Sequence, residues 1–132
     1  MDKKPVLLDK RRVMISGSSQ INMKVLDQAL KAIGIHELMT ENSMIKFLSK
    51  IFMYEPKVVV LAHDEVDKNL EFAKHIRNND YFFDLPIIAI SNPDKKENSS
   101  TKKKIESLNV NYFFIPFNNL ELSRAIKTGL DR

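Results

Sequence analysis

Along the chain, short uninterrupted apolar runs alternate with stretches in which apolar residues recur every three or four positions. Arg12-Val13-Met14-Ile15-Ser16 is the first run and ends at Gly17-Ser18-Ser19, which predicts a buried strand and a turn. Ile21, Val25, Leu26, Ala29, Leu30 and Ile33 then follow helical spacing, and Gly34 stops the pattern where a C-terminal cap belongs. His36 to Thr40 fits a short second strand. Asn42 or Ser43 can cap the next helix, whose apolar set Met44, Ile45, Phe47, Leu48, Ile51 and Phe52 is broad enough to predict deep burial before Pro56. Val58-Val59-Val60-Leu61-Ala62 is apolar at every position, as a parallel strand covered on both faces should be.

His63 to Lys68 reads as a polar, acidic loop. Leu70, Phe72, Ala73 and Ile76 mark a third helix that ends near Arg77-Asn78-Asn79, and Leu85-Pro86 leads into a fourth strand, Ile87-Ile88-Ala89-Ile90, broken by Ser91-Asn92-Pro93-Asp94. Ile105 and Leu108, with Lys102 to Lys104 between polar neighbours, predict a weak fourth helix with a largely solvated face. Val110 to Phe114 forms a fifth strand. Leu120, Leu122, Ala125, Ile126 and Leu130 form a last helix, with Asn118 or Asn119 as its cap. Five strands alternating with five helices predict a flavodoxin-like α/β fold: a doubly wound, parallel five-stranded sheet in a three-layer sandwich. Residues 1–11 read as an N-terminal extension and residues 12–132 as one domain. Function in such sheets gathers at the carboxyl ends of the strands, here Ser16-Gly17-Ser18, Ala62-His63-Asp64, Ser91-Asn92 and Ile115-Pro116.

Composition narrows the chemistry. The 132 residues are 43% apolar and contain no cysteine, which excludes disulfides, thiol catalysis and cysteine-ligated zinc. No apolar run has the length of a membrane span, and Pro5-Val6-Leu7-Leu8 is too short for a secretory core, so a cytoplasmic location is expected. The charged ends suit a whole protein or a module of a longer one. The net charge of +4 is concentrated in residues 1–12 and 94–104. A sheet wound this way separates those two segments, neither interleaves aromatics, and no DNA-binding motif appears; direct nucleic-acid binding is not expected. The glycines Gly17, Gly34 and Gly129 form no phosphate cradle. Ser16 to Ser19, with Ser91, leave an anion- or nucleotide-binding domain as one alternative, although a serine-rich turn is equally a good helix cap. His36 and His75 have no companion ligands and read as structural.

Several segments carry a more specific signal. Pro56-Lys57 opens the third strand, Leu85-Pro86-Ile87-Ile88-Ala89-Ile90-Ser91 has a leucine-proline-strand-serine pattern, and Tyr112-Phe113-Phe114-Ile115-Pro116-Phe117 follows a tyrosine-x-x-x-proline-phenylalanine pattern. With the strand-helix rhythm, these resemble the receiver domain of two-component response regulators, from about Arg12 to Leu130. The resemblance implies phosphoryl transfer to an aspartate, using an acidic pair for Mg²⁺, a hydroxyl and a lysine. Carried over, the acidic pair falls on Gly17 and Ser18, the acceptor on Ala62, the hydroxyl on Ser91 and the lysine on Ile115. Only the hydroxyl remains, so the resemblance implies a degenerate pseudo-receiver that is not an enzyme and has neither cofactor nor metal.

An alternative keeps the reaction at a displaced acceptor, Asp64, because the loop up to Asn69 is one residue shorter than usual in the family; the competing reading is a solvated acidic loop. His63 either contacts a ligand, acts as a pH-sensitive group, or merely ends its strand. Ser91 serves an anion, a partner or a turn. Tyr112 holds the position of the family's moving aromatic, against simple packing beside Phe114. The face of the fourth helix, fifth strand and fifth helix is the family's usual docking or dimerisation surface. Here it includes Lys102, Lys103, Lys104, Tyr112, Arg124 and Lys127, which favours an acidic protein partner or a second copy, unless these charges only solvate the helices.

Overall fold

The computed structural model describes residues 12–35, 37–92, 99–115 and 117–131. Its elements are β1 (Val13–Ser16), α1 (Gln20–Ala32), β2 (Leu38–Thr40), α2 (Met44–Tyr54), β3 (Val58–Leu61), α3 (Val66–Arg77), a 3₁₀ turn (Asp80–Phe82), β4 (Ile87–Ser91), α4 (Ser99–Ser107), β5 (Val110–Phe114) and α5 (Asn119–Leu130). All four strand pairings are parallel, and the order β2-β1-β3-β4-β5 places the reversal in winding between β1 and β3. This is the flavodoxin-like arrangement that the alternating pattern predicts.

Strand periodicity divides the core. Val13, Ile15, Val58, Val60, Ile88 and Ile90 face α1 and α5, whereas Met14, Val59, Leu61, Ile87 and Ala89 face α2 and α3. Every residue of β1, β3 and β4 is buried. Phe47 of α2 and Phe72 of α3 meet edge to face at 5.6 Å, a contact worth about 0.5–1.5 kcal/mol beyond its buried area. Between α1 and α5, the Ser123 hydroxyl donates to the Ala29 carbonyl at 3.2 Å. Ser19, Ser43 and Asn118 cap their helices by accepting backbone N–H groups, and Gly34 closes α1 at a φ of +73°, where a side chain would be strained.

The described structure corrects the sequence pattern in three places. The broad apolar set of α2 is not deeply buried: Phe47 and Ile51 are covered, but Ile45 is 82% and Phe52 49% exposed. A helix beside the short edge strand β2 has only one neighbouring layer to cover it. Only the first half of the stretch from His63 to Lys68 is loop, because α3 already starts at Val66; Asp67 suits a helix's first turn, where a carboxylate meets the positive end of the dipole. Phe82 is buried on a 3₁₀ turn for which the sequence has no periodic signal. His36, Pro116 and most of the two basic segments lie outside the described residues. Of the latter, Lys102, Lys103 and Lys104 are exposed on α4, a helix with no buried residue, as its polar sequence implies.

Candidate functional site

Four strands deliver Ser16, Ala62, Ser91 and Ile115 to one end of the sheet. The group at the centre is His63, one residue beyond Ala62 and fully buried. Ser16 Oγ lies 2.8 Å from its Nε2, and Ser18 Oγ lies 3.1 Å from its Nδ1. A neutral imidazole has one N–H and one lone pair, so one nitrogen donates to its serine and the other accepts a hydroxyl proton. The ring lies 4.9 Å from that of Phe72. Burial, aided by Lys68 and opposed by Asp64, pulls the His63 pKa down to about 4, so the ring is neutral near pH 7.

Asn69 joins His63 to the far edge of the sheet. Its Oδ1 accepts from the His63 backbone N–H at 2.9 Å, and its amide nitrogen lies 3.3 Å from the His63 carbonyl, 3.2 Å from the Ile90 carbonyl and 3.0 Å from Tyr112 Oη. The Tyr112 hydroxyl also lies 2.9 Å from Ser91 Oγ. Ser91 donates to the Asn92 carbonyl at 3.2 Å, so Tyr112 donates to Ser91 and accepts from Asn69. The Tyr112 ring stacks on Phe114 at 4.6 Å, and burial raises its phenol pKa, keeping it a donor. A continuous uncharged network thus runs from Ser16 and Ser18 through His63, Asn69 and Tyr112 to Ser91.

The positions singled out in the sequence separate on this frame. Gly17 donates its N–H to Asn42 Oδ1 at 2.9 Å; a Cβ there would lie 2.7 Å from Met23 Sδ and 2.9 Å from both the Ala62 Cβ and its carbonyl oxygen. No side chain fits at Gly17 without moving the β3 backbone. Ser18 is exposed apart from its contact to His63, Ala62 is buried, and Ile115 packs against the α1 and α5 layer of the core. Asp64 is exposed at the approach to α3. Among the described residues, no group of three or more His, Asp or Glu side chains is placed to hold a metal ion. The hydroxyls of Ser16, Ser18, Ser19 and Ser91 are each engaged within the protein. His75 is exposed on α3, its Nδ1 2.9 Å from the Glu71 carbonyl. Lys102 to Lys104 on α4 and Arg124 and Lys127 on α5 are exposed, on the two helices that flank edge strand β5 from opposite layers.

Asn69 is the central residue that the sequence reading passes over. Its signal was present: Val66, Asn69, Leu70, Ala73 and Ile76 share a helical stripe, and all five are buried. A polar amide within an apolar stripe must find partners inside the fold.

No protein-family model matches the chain, and no curated protein sequence matches it. Solved structures do match its fold. A signal receiver domain of a two-component signal-transduction histidine kinase from Clostridium thermocellum is 17% identical, with a TM-score of 0.69 over 92% of this chain and 98% of that one. The chemotaxis protein CheY4 of Vibrio cholerae is 17% identical, with a TM-score of 0.67 over 89% of this chain and 96% of its own. A two-component response regulator from Legionella pneumophila is 16% identical, with a TM-score of 0.70 over 91% and 97%. The chain therefore has the fold of two-component receiver domains. No helix among the described residues is long and apolar enough to cross a membrane.

Proposed function

We propose that this chain is a non-catalytic, receiver-like signalling domain of the bacterial cytoplasm that acts by binding another protein without being phosphorylated. The observation that carries this reading is the neutral His63 ring held between Ser16 and Ser18 where a receiver's chemistry would take place. A hard cation needs oxygen ligands, preferably charged, and phosphoryl transfer needs a nucleophile and positive charge at the transferring oxygens. Gly17, Ala62 and Ile115 supply none of these, and the crowding around Gly17 leaves no room for a carboxylate. The engaged serine hydroxyls likewise weigh against an anion- or nucleotide-binding role. The surface on α4, β5 and α5, with Lys102, Lys103, Lys104, Tyr112, Arg124 and Lys127, is the face that docks, and its charge suits an acidic partner or an acidic region of a second copy.

The test is incubation with acetyl phosphate and Mg²⁺, read by intact mass and by the amide shifts of Ala62, Ser91 and Tyr112. The expected result is no adduct and no Mg²⁺-dependent shift. A stoichiometric, base-labile adduct at Asp64 would overturn the reading and make this a working receiver with a displaced acceptor.

A further inference from the structure

The Asn69 side chain is oriented from both ends by backbone groups. Its Oδ1 is occupied by the N–H of His63, and its Nδ2 lies 3.3 and 3.2 Å from the carbonyls of His63 and Ile90, so a single orientation of the amide matches its donors to acceptors. The residue is fully buried on α3, where an amide reaches no water and keeps the partners that the fold gives it. The third oxygen beside Nδ2, and at 3.0 Å the closest, is the Tyr112 hydroxyl. Two of the three acceptors are thus carbonyls fixed in the backbone, and only the third sits on a side chain that can turn.

Apart from Ser18 at the other end, Tyr112 is the only member of the network that is not buried. In the sheet it pairs with Ala89, and the Ser91 hydroxyl that it reaches at 2.9 Å lies two positions further along β4, so its ring leans along the strand, stacked on Phe114. Held this way, the phenol uses both of its capacities, accepting from Asn69 and donating to Ser91. The donor is already in place: the bond from Asn69 asks for no rearrangement of an amide that the backbone of β4 and the residue after β3 has set. We infer that Asn69 is a positioning residue, a preset amide that holds Tyr112 against Ser91 and so keeps the β5 part of the α4-β5-α5 face in one form. The consequence for function rests on the docking role proposed for that face. A partner there meets a finished surface, with no conformational equilibrium to shift and no phosphoryl group needed to shift it.

The experiment uses the full chain and its three tyrosines. Tetranitromethane nitrates the ionised phenol, so the rate at each tyrosine reads whether its hydroxyl is held. Tyr81, 69% exposed, gives the free rate, and Tyr54, whose hydroxyl is buried, reports on the fold. In the unaltered chain Tyr112 should react at least about tenfold more slowly than Tyr81, the effect of two hydrogen bonds and a stacked ring. In Asn69→Ala it should come within about threefold of Tyr81 while Tyr54 stays protected. Ser91→Ala should give an intermediate rate, and Ser91→Thr, which keeps the hydroxyl, the original one. Relaxation dispersion at the Tyr112, Phe113 and Phe114 amides should be absent from the unaltered chain and present in Asn69→Ala. A Tyr112 as reactive as Tyr81, or dispersion along β5, in the unaltered chain overturns the inference whether or not any variant folds. So does an Asn69→Ala chain in which Tyr112 stays slow, which would leave Ser91 and Phe114 as the whole of the hold, or in which Tyr54 is accelerated equally, which would make Asn69 a structural residue only. None of these measurements involves phosphorylation, so a base-labile adduct at Asp64 would overturn the docking reading and leave the Asn69 result standing.

Discussion

His63 shows how one residue type takes its character from its surroundings. A histidine just beyond a strand suits a ligand contact, a pH-sensitive group or a plain strand end, and only the hydroxyls that face its two nitrogens decide among these. Ser16 and Ser18 satisfy both nitrogens of the neutral ring, and neither offers a charge to stabilise an imidazolium. The unfolded chain holds this histidine near its ordinary pKa of about 6.5, while the folded chain holds it at about 4. Protonation therefore favours unfolding. The contribution of His63 to stability is whole above pH 6.5, fades as the pH falls toward 4, and amounts to about 3 kcal/mol at most. Denaturant melts between pH 7 and 4.5 should show this loss, and His63→Gln should flatten it. An imidazole resonance titrating near 6.5 in the folded protein would contradict the assignment. His63 and the serines were marked in the sequence, but Asn69, which joins them to Tyr112, was not. Ser91 and Tyr112 were marked by a resemblance, but their meeting with Asn69 depends on three elements far apart in sequence, which no local pattern encodes.

At the scale of elements, the sequence pattern located every strand and α-helix among the described residues but not the 3₁₀ turn, and it misjudged burial where that depends on neighbours. The α2 stripe of Ile45 and Phe52 has the spacing of a buried face, yet spacing cannot reveal that an edge strand of three residues leaves it uncovered. The joint between α3 and the far end of the sheet was similarly silent. Arg77, in the last turn of α3, donates from Nε to the Leu108 carbonyl at 2.8 Å, from one terminal nitrogen to the Phe82 carbonyl at 2.7 Å and from the other to the Asn109 carbonyl at 3.1 Å. One guanidinium thus satisfies carbonyls from the 3₁₀ turn and from the approach to β5. In sequence it is simply a basic residue ending a helix, the usual complement to the dipole. Arg77→Ala should cost about 2–3 kcal/mol in chemical denaturation, because charged donors make the stronger hydrogen bonds and their loss leaves carbonyls without partners. Arg77→Lys should recover only part of it, since an ammonium lacks the planar fork. A loss below about 0.5 kcal/mol, the scale of an ordinary surface substitution, would mean that the strap is ornamental.

Across the whole molecule, the alternation of elements and the handedness of their crossovers leave few ways to assemble a parallel sheet, which is why the architecture was the most legible feature of all. Stability is not spread evenly over that architecture. β1, β3 and β4 are buried along their full length, whereas α4 has no buried residue and rests on the sheet through the half-buried Ile105 and Leu108. Local opening should cost least where the fewest apolar contacts are broken. In hydrogen exchange, the α4 amides should therefore exchange orders of magnitude faster than those of β1 and β3, and by openings that leave the sheet intact. Equal protection of α4 and the sheet would show that the charged helix is held by contacts its burial does not reveal. The expected gradient bears on function because α4 carries Lys102, Lys103 and Lys104. A partner that grips this helix closes its local opening equilibrium and adds protection there first, and by linkage any change that loosens α4 weakens the same partner. On the docking role proposed above, the element expected to open most easily also carries the docking charge, so added α4 protection on mixing with a partner, without phosphorylation, is the outcome that this proposal expects.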